Sequence, residues 1–112
     1  MTDRLGTLLW LAQRASAAIL AFCIAVHLVT MIYAVQGGLS AAEILSRTRG
    51  SLIWLAFYGV FVLAVAIHAP IGLRSVLREF TPWRGRSVEG AMLGVAVMIT
   101  WLGWRAVLGL FR

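Results

Sequence analysis

The sequence contains very little charge for its length. Of its 112 residues, ten are arginine, none is lysine and four are Asp or Glu, which makes 12% charged. A soluble domain of this size needs a polar exterior over much of its surface, and so few charged side chains cannot provide one. In contrast, 62% of the residues are hydrophobic and the mean hydropathy is +0.92. The composition therefore excludes an ordinary soluble domain and indicates that lipid surrounds most of the chain.

Cysteine and acidic residues are also scarce. The single cysteine, Cys23, lies inside an apolar run, so the chain cannot form an internal disulfide. The formal net charge of +6 would raise the question of nucleic-acid binding in a soluble protein. Because the arginines stand at the ends of apolar stretches, we instead assign their charge to anchoring and orientation at the membrane surface. We expect membrane lipid as a partner and no nucleic acid.

Three apolar runs are long enough to cross a membrane. A helix needs about 20 residues to span a hydrocarbon core roughly 30 Å thick. The runs extend over about residues 8–35, 52–77 and 90–111. We therefore predict an all-α fold, a three-helix transmembrane bundle that forms a single membrane domain over residues 1–112.

Polar segments separate the three runs. Residues 81–86 combine proline, glycine and arginine, all of which disfavour a helix that continues into the third run. Between the first two runs, Ser40 and Glu43 have the spacing of a capping box. This spacing predicts a short interfacial helix that continues through Leu45.

The arginines are distributed unevenly between the two sides of the predicted bundle. With three spans, the N-terminal segment and the loop between the second and third spans lie on the same side. That side carries six arginines, which are Arg4, Arg14, Arg74, Arg78, Arg84 and Arg86. The other side carries Arg47, Arg49, Arg105 and Arg112. The positive-inside rule therefore predicts a cytoplasmic N-terminus and an external C-terminus.

Two histidines lie within the spans, His27 in the first and His68 in the second. An ionisable side chain in hydrocarbon is costly and suggests function, and imidazole is a common axial ligand of haem iron. The alternative is a histidine that is hydrogen-bonded to a neighbouring helix. The helical rise places the two residues about 12 Å apart in depth, so they fit one haem poorly as a pair. Each would need a partner histidine from another chain.

The residues that follow His68 suggest a site on the second helix. Gly72 shares the helix face of His68, where it would leave room either for a flat macrocycle or for a close helix contact. Pro70 cannot donate to the carbonyl of Ala66, so we expect a kink there and packing against protein or cofactor. Arg74 lies toward the cytoplasmic interface, where it would meet propionates or a quinone head group, or extend into the head-group region.

The first helix carries Gln13, Arg14 and Ser16 at about the predicted depth of Arg74. These residues predict a polar pocket at the cytoplasmic interface. The alternative is that the two arginines only set the topology.

At these two segments the chain resembles the cytochrome b556 and membrane-anchor subunits of succinate dehydrogenase and fumarate reductase. The second helix of that family carries a histidine, a glycine four residues on, often a basic residue six on and an acid eleven on. The corresponding residues here are His68, Gly72, Arg74 and Glu79. The larger anchor of the family begins its first helix with an Arg-x-Ser pattern, which Arg14-Ala15-Ser16 matches. The resemblance covers about residues 10–80.

The resemblance implies a role for each matching residue. His68 would be an axial ligand of haem b, and Gly72 would lie beside it. Arg14 would line a quinone pocket and contact a haem propionate, with Ser16 and Arg74 as further residues of that region. The chain would then anchor iron–sulfur and flavoprotein subunits in a bacterial inner membrane. It would pass electrons between the iron–sulfur subunit and quinone, beside a second anchor chain or a copy of itself.

The sequence also departs from the family pattern. Phe80 stands where one anchor type has a tyrosine that contacts quinone, and Trp10 replaces a polar residue of the larger anchor. Single-haem anchors lack a histidine like His27 in the first helix. Di-haem members of the wider family carry a first-helix histidine that binds a distal haem. A second haem at His27 is therefore an open alternative.

Two other functions remain open on the residues alone. The first is a haem-free anchor or assembly subunit of the same shape. The second is a small proton-coupled transporter subunit that uses His27 and His68 as a relay. Such transporters often carry a carboxylate within the membrane, which disfavours the second function here. All four acids lie outside the cores of the predicted spans, at Asp3, Glu43, Glu79 and Glu89.

Overall fold

The computed structural model describes residues 2–112, with side chains from Arg4 onward. It contains four helices, which are α1 (Thr2–Gln36), α2 (Ala41–Thr48), α3 (Leu52–Phe80) and α4 (Arg86–Phe111), and the described residues form no strand. Three of them, α1, α3 and α4, are long and apolar enough to cross a membrane. The longest dimension of 49 Å exceeds the thickness of a bilayer with its head groups, about 40–45 Å. The predicted three-helix transmembrane bundle is confirmed.

Helix α1 ends in a hydrogen-bonded turn that depends on glycine. The Leu39 amide donates to the Ala34 carbonyl at 3.0 Å, and the Gly38 amide donates to the Val35 carbonyl at 3.1 Å. Gly38 has a φ of 65°, a left-handed conformation that only glycine adopts without strain. This pair of bonds is a Schellman motif, and it satisfies carbonyls that the helix end would otherwise leave free.

Helix α2 begins at the predicted capping box. The Glu43 amide donates to Ser40 Oγ at 3.2 Å, and the Ser40 amide donates to Glu43 Oε1 at 3.4 Å. The helix continues to Thr48, one turn beyond the predicted end at Leu45. The extra turn carries a tertiary contact, because the Thr48 hydroxyl donates to the Leu110 carbonyl of α4 at 2.9 Å.

The C-terminal end of α4 is held by the segment that joins α2 to α3. The last carbonyls of a helix have no partner within it and need one elsewhere. Besides the bond from Thr48, the Gly50 amide donates to the Phe111 carbonyl at 2.9 Å. Thr48 is only 8% exposed. The short segment therefore ties the C-terminal end of α4 to the end of the bundle where α1 ends and α3 begins.

Helix α3 is the centre of the bundle, because it packs against both α1 and α4. One tight contact with α4 is at Gly103. A Cβ atom on Gly103 would lie 2.6 Å from Cγ1 and 2.9 Å from Cγ2 of Val62, closer than real atoms come. The absence of a side chain at Gly103 therefore sets the distance between α3 and α4.

The face of α1 that is turned toward α3 carries most of the polar side chains of the first span. We call this face the α1 seam; its residues recur at intervals of three and four. The α1 seam consists of Leu9, Gln13, Ser16, Leu20, Cys23, His27, Thr30 and Ala34, all buried or partly buried. Large apolar side chains such as Phe22 and Val29 lie on the other faces and are exposed. The polar groups therefore face the bundle interior, as expected when lipid is the solvent.

Candidate functional site

Two contacts fix the register between α1 and α3. His27 Nδ1 lies 3.1 Å from the hydroxyl of Tyr58, and Gln13 Nε2 lies 3.1 Å from the position that a Cβ on Gly72 would occupy. The two contacts are fourteen residues apart on each helix, so α1 and α3 run antiparallel with one register throughout. This register places His68 at the level of the α1 turn between Gln13 and Leu20.

The register also separates the two histidines in depth. Tyr58 is level with His27, and His68 lies ten residues farther along α3. At ~1.5 Å per residue, this corresponds to about 15 Å. The value agrees with the offset of about 12 Å expected from the sequence. His27 and His68 of one chain therefore belong to separate layers of the membrane.

His68 lies within α3, and one of its ring nitrogens has no hydrogen-bond partner in the described part of the chain. The residue as a whole is only partly buried. Its Nδ1 atom, however, is buried and has no hydrogen-bond partner among residues 2–112. Pro70 follows within the same helix and is buried, as expected for a residue that leaves a carbonyl without its usual donor. Within the described part of the chain, Nδ1 of this imidazole is therefore an exception to the rule that buried polar atoms are hydrogen-bonded.

Gln13 and Ser16 meet α3 beside His68. Ser16 is 3% exposed, and its hydroxyl donates to the backbone carbonyl of Gln13 at 3.1 Å. The side chain of Gln13 lies over Gly72, and its Oε1 atom is buried and unpartnered in the described part of the chain. We expected Gly72 to leave room either for a macrocycle or for a close helix contact. In the structure, the amide of Gln13 occupies the space beside Gly72.

The two arginines of the predicted polar pocket have other neighbours. Arg74 Nε donates to Glu89 Oε1 at 2.7 Å, an ion pair that joins α3 to α4. Arg14 is exposed, and its guanidinium carbon lies 5.1 Å from the centre of the Trp10 ring one turn earlier. Of the predicted set, the structure brings Gln13 and Ser16 together in the α1 seam. The Arg74–Glu89 pair was not predicted, although its opposite charges at facing helix ends were visible in the sequence.

The Arg74–Glu89 pair is expected to make a small, salt-dependent contribution to stability. The two side chains are 25% and 55% exposed, and pairs this accessible to solvent contribute about 0.2–1 kcal/mol. The coupling is measured by a double-mutant cycle of Arg74→Gln and Glu89→Gln, using unfolding of the purified protein in detergent. It should shrink at high salt. A coupling of zero at low salt would show that the pair does not join the two helices.

His27 is engaged by aromatic residues of α3. In addition to the hydrogen bond with Tyr58, its ring meets the rings of Tyr58 and Phe61 edge-on, with centroids 5.7 and 5.6 Å apart. A cavity of about 340 Å³ opens beside these three residues, between α1, α3 and α4. Sequence reasoning did not find Tyr58. Its only signal was a tyrosine inside the second span at the level of a histidine in the first.

The loop between α3 and α4 is braced by its own side chains. The guanidinium of Arg84 donates to the carbonyls of Thr81, Trp83 and Arg78 at 2.8, 2.9 and 2.6 Å. The indole of Trp83 donates to the hydroxyl of Ser87 at 2.6 Å. The loop therefore presents a defined surface on the side of the membrane that carries Arg74.

Three spanning helices, with ionisable and polar side chains turned inward, define a multi-pass membrane protein. Comparison with known protein families matches residues 1–104 to the succinate dehydrogenase/fumarate reductase transmembrane subunit family. The chain belongs to this family, as the resemblance at His68 and Arg14 predicted. Neither the curated proteins nor the solved structures contain a match to this chain.

Proposed function

We propose that this chain is the haem b-binding membrane anchor of a succinate dehydrogenase/fumarate reductase-type complex, and that it helps pass electrons between an iron–sulfur subunit and membrane quinone. Membership of the transmembrane subunit family supports the anchor role. The observation that carries the haem assignment is the imidazole of His68, which lies within a span and has a buried nitrogen without a partner among the described residues.

The residues around His68 fit a haem that is shared with another chain. The ring is only partly buried, so its free edge can reach the surface of this chain. His68 would supply one axial ligand, and a histidine of a second anchor chain, or of a copy of this one, would supply the other. A haem with two histidine ligands supplies one-electron transfer and has no open position for oxygen.

The cytoplasmic end of the α1–α3 interface supplies polar groups for propionates and a quinone head group. Arg14 is the better placed of the two arginines, because it is exposed and forms no ion pair within the described residues. Arg74 already pairs with Glu89, so it would have to share its guanidinium. Ser16 is buried and donates to a backbone carbonyl, and its hydroxyl oxygen remains available as an acceptor.

His27 is the proposed ligand of a second haem at the other depth. Histidines that bind metal usually have their second ring nitrogen held by a hydrogen bond, which fixes the ring orientation. The Tyr58 hydroxyl lies where it can hold Nδ1 of His27 in this way. The same hydrogen bond also fits a histidine with a purely structural role, in which case this layer of the membrane holds no haem. The haem content of the complex decides between one haem and two.

The partners of the proposed complex follow from the topology. We place the N-terminus and the α3–α4 loop in the cytoplasm of a bacterial cell and the chain in its inner membrane, because six arginines lie on that side. The braced loop from Arg78 to Arg86 is then the docking surface for the iron–sulfur subunit, which in turn carries the flavoprotein. A second anchor chain or a copy of this chain completes the membrane part.

The proposal is tested on the complex purified from its native membrane through a tag on this chain. We expect flavin- and iron–sulfur-containing polypeptides to purify with it, and a reduced-minus-oxidised spectrum with the bands of a b-type haem. Succinate–quinone activity in a complex with no haem band would overturn the haem assignment and leave a haem-free anchor. Purification without any such polypeptide would overturn the anchor role itself.

A further inference from the structure

Two buried polar atoms without partners lie in the interface of α1 and α3, about one helical turn apart in the register of the two helices. They are Oε1 of Gln13 and Nδ1 of His68, and among the described residues no other buried side-chain nitrogen or oxygen lacks a partner. A buried polar group left unpaired costs roughly 1–3 kcal/mol, and native proteins pair nearly all of them. One atom is an acceptor, and the other is a donor when it carries the imidazole proton. The two groups are therefore complementary.

Gly72 lets the side chain of Gln13 lie close to the backbone of α3. The amide of Gln13 lies over Gly72, one helical turn from His68 and on the same face of α3. A side chain at position 72 would displace this amide by a few tenths of an ångström, since its Cβ would come within 3.1 Å of Gln13 Nε2. The backbone of the Gln13 turn is fixed by the bond from Ser16, whereas the side chain of Gln13 can rotate.

We propose that Gln13 is the positioning residue of His68, with its Oε1 accepting a hydrogen bond from the Nδ1–H of the imidazole. The inference rests on the proposed haem-binding role of His68. A neutral imidazole carries one proton, and an acceptor at Nδ1 keeps the proton there. Nε2 is then left with its lone pair, the form in which histidine binds a metal. Gly72 leaves room for this amide, because a Cβ there would lie 3.1 Å from Gln13 Nε2 and would displace it by a few tenths of an ångström.

The first test compares variants that keep the size of the side chain. Gln13→Met removes the acceptor; we expect haem retention in the complex to fall about 10- to 100-fold, the usual effect of losing such a partner. The haem midpoint potential should rise, because the imidazole becomes a weaker electron donor. Gln13→Glu keeps an acceptor and should retain haem. The matched control, Leu20→Met in the same seam, should change neither quantity.

The second test asks whether Gly72 acts through Gln13. Gly72→Ala should shift haem retention and midpoint in the same direction as Gln13→Met, and should add nothing in a Gln13→Met background. If Gly72→Ala has its full effect in the Gln13→Met background, the glycine makes room for the haem and does not act through Gln13. That result would overturn this part of the inference.

A third measurement does not depend on haem. The nitrogen chemical shifts of labelled His68 in the haem-free protein report which ring nitrogen carries the proton. They should change in Gln13→Met and stay unchanged in Leu20→Met. If wild-type complex binds haem through His68 but Gln13→Met alters neither haem retention, midpoint nor these shifts, the inference fails and the proposed function stands. A wild-type complex without haem would instead remove the proposed function, while the shifts would still test the hydrogen bond.

Discussion

Replacing His68 with alanine is expected to abolish the absorption of the b-type haem that this histidine is proposed to bind. In the proposed arrangement, the imidazole is one of the two axial ligands of the haem iron. The methyl side chain of alanine cannot bind iron. The measurement is the reduced-minus-oxidised spectrum of the purified complex, normalised to its covalent or extracted flavin. Normalisation matters because it separates loss of haem from loss of protein.

The matched control is His27→Ala in the other layer. If His68 alone binds haem, His27→Ala leaves the spectrum unchanged; if both histidines bind, each single variant removes part of the absorption. The iron–sulfur and flavoprotein subunits must still purify with the His68→Ala variant, which shows that the bundle is folded. A full haem band in His68→Ala would contradict the proposed ligand.

Replacing Gly103 with alanine is expected to destabilise the bundle by about 1–3 kcal/mol, the usual cost of overpacking a tight interface. The new Cβ would lie 2.6 Å from Cγ1 of Val62, so either the valine or the backbone of α3 must move. Valine is stiff about its first side-chain bond, which makes the backbone carry part of the shift. Because α3 also carries His68, the change should loosen both helix interfaces. Unfolding of the purified protein in mixed micelles measures the effect.

Two further variants isolate the cause of this destabilisation. Gly94→Ala lies on the same helix with nothing within 4 Å of its added Cβ, so it should be neutral or slightly stabilising because alanine favours helix. Val62→Ala should recover most of the loss when combined with Gly103→Ala. Equal stabilities for Gly103→Ala and Gly94→Ala would show that the close α3–α4 approach does not set the stability.

The number and order of the spans could be predicted because each is one continuous apolar run. Their ends could not, since hydropathy reports the hydrocarbon layer and not the helix. Helix α1 begins at Thr2, well before the predicted residue 8, and α4 begins at Arg86 instead of residue 90. Charged and polar residues continue a helix freely once it leaves the hydrocarbon. In α4 this first turn carries Glu89, the partner of Arg74.

The sequence could predict the depth of the polar residues in the bundle better than the direction in which each side chain points. The sequence placed Gln13, Arg14, Ser16 and Arg74 at one level, which the register of α1 and α3 agrees with. It could not tell that Gln13 and Ser16 turn toward α3 while Arg14 turns away. Local patterns give the spacing along one helix, whereas the rotation of a helix against its neighbour depends on contacts between distant residues. The Tyr58–His27 contact was missed for this reason.

The network of Arg84 has a consequence for assembly in the membrane. A loop that must become ordered when a soluble subunit binds loses conformational entropy, roughly 0.5–1.5 kcal/mol for each flexible side chain that is immobilised. Here one guanidinium already joins three carbonyls of the turn, and Trp83 is fixed by Ser87. In the proposed complex, an incoming subunit would therefore meet a loop that is already ordered, and binding would cost less conformational entropy.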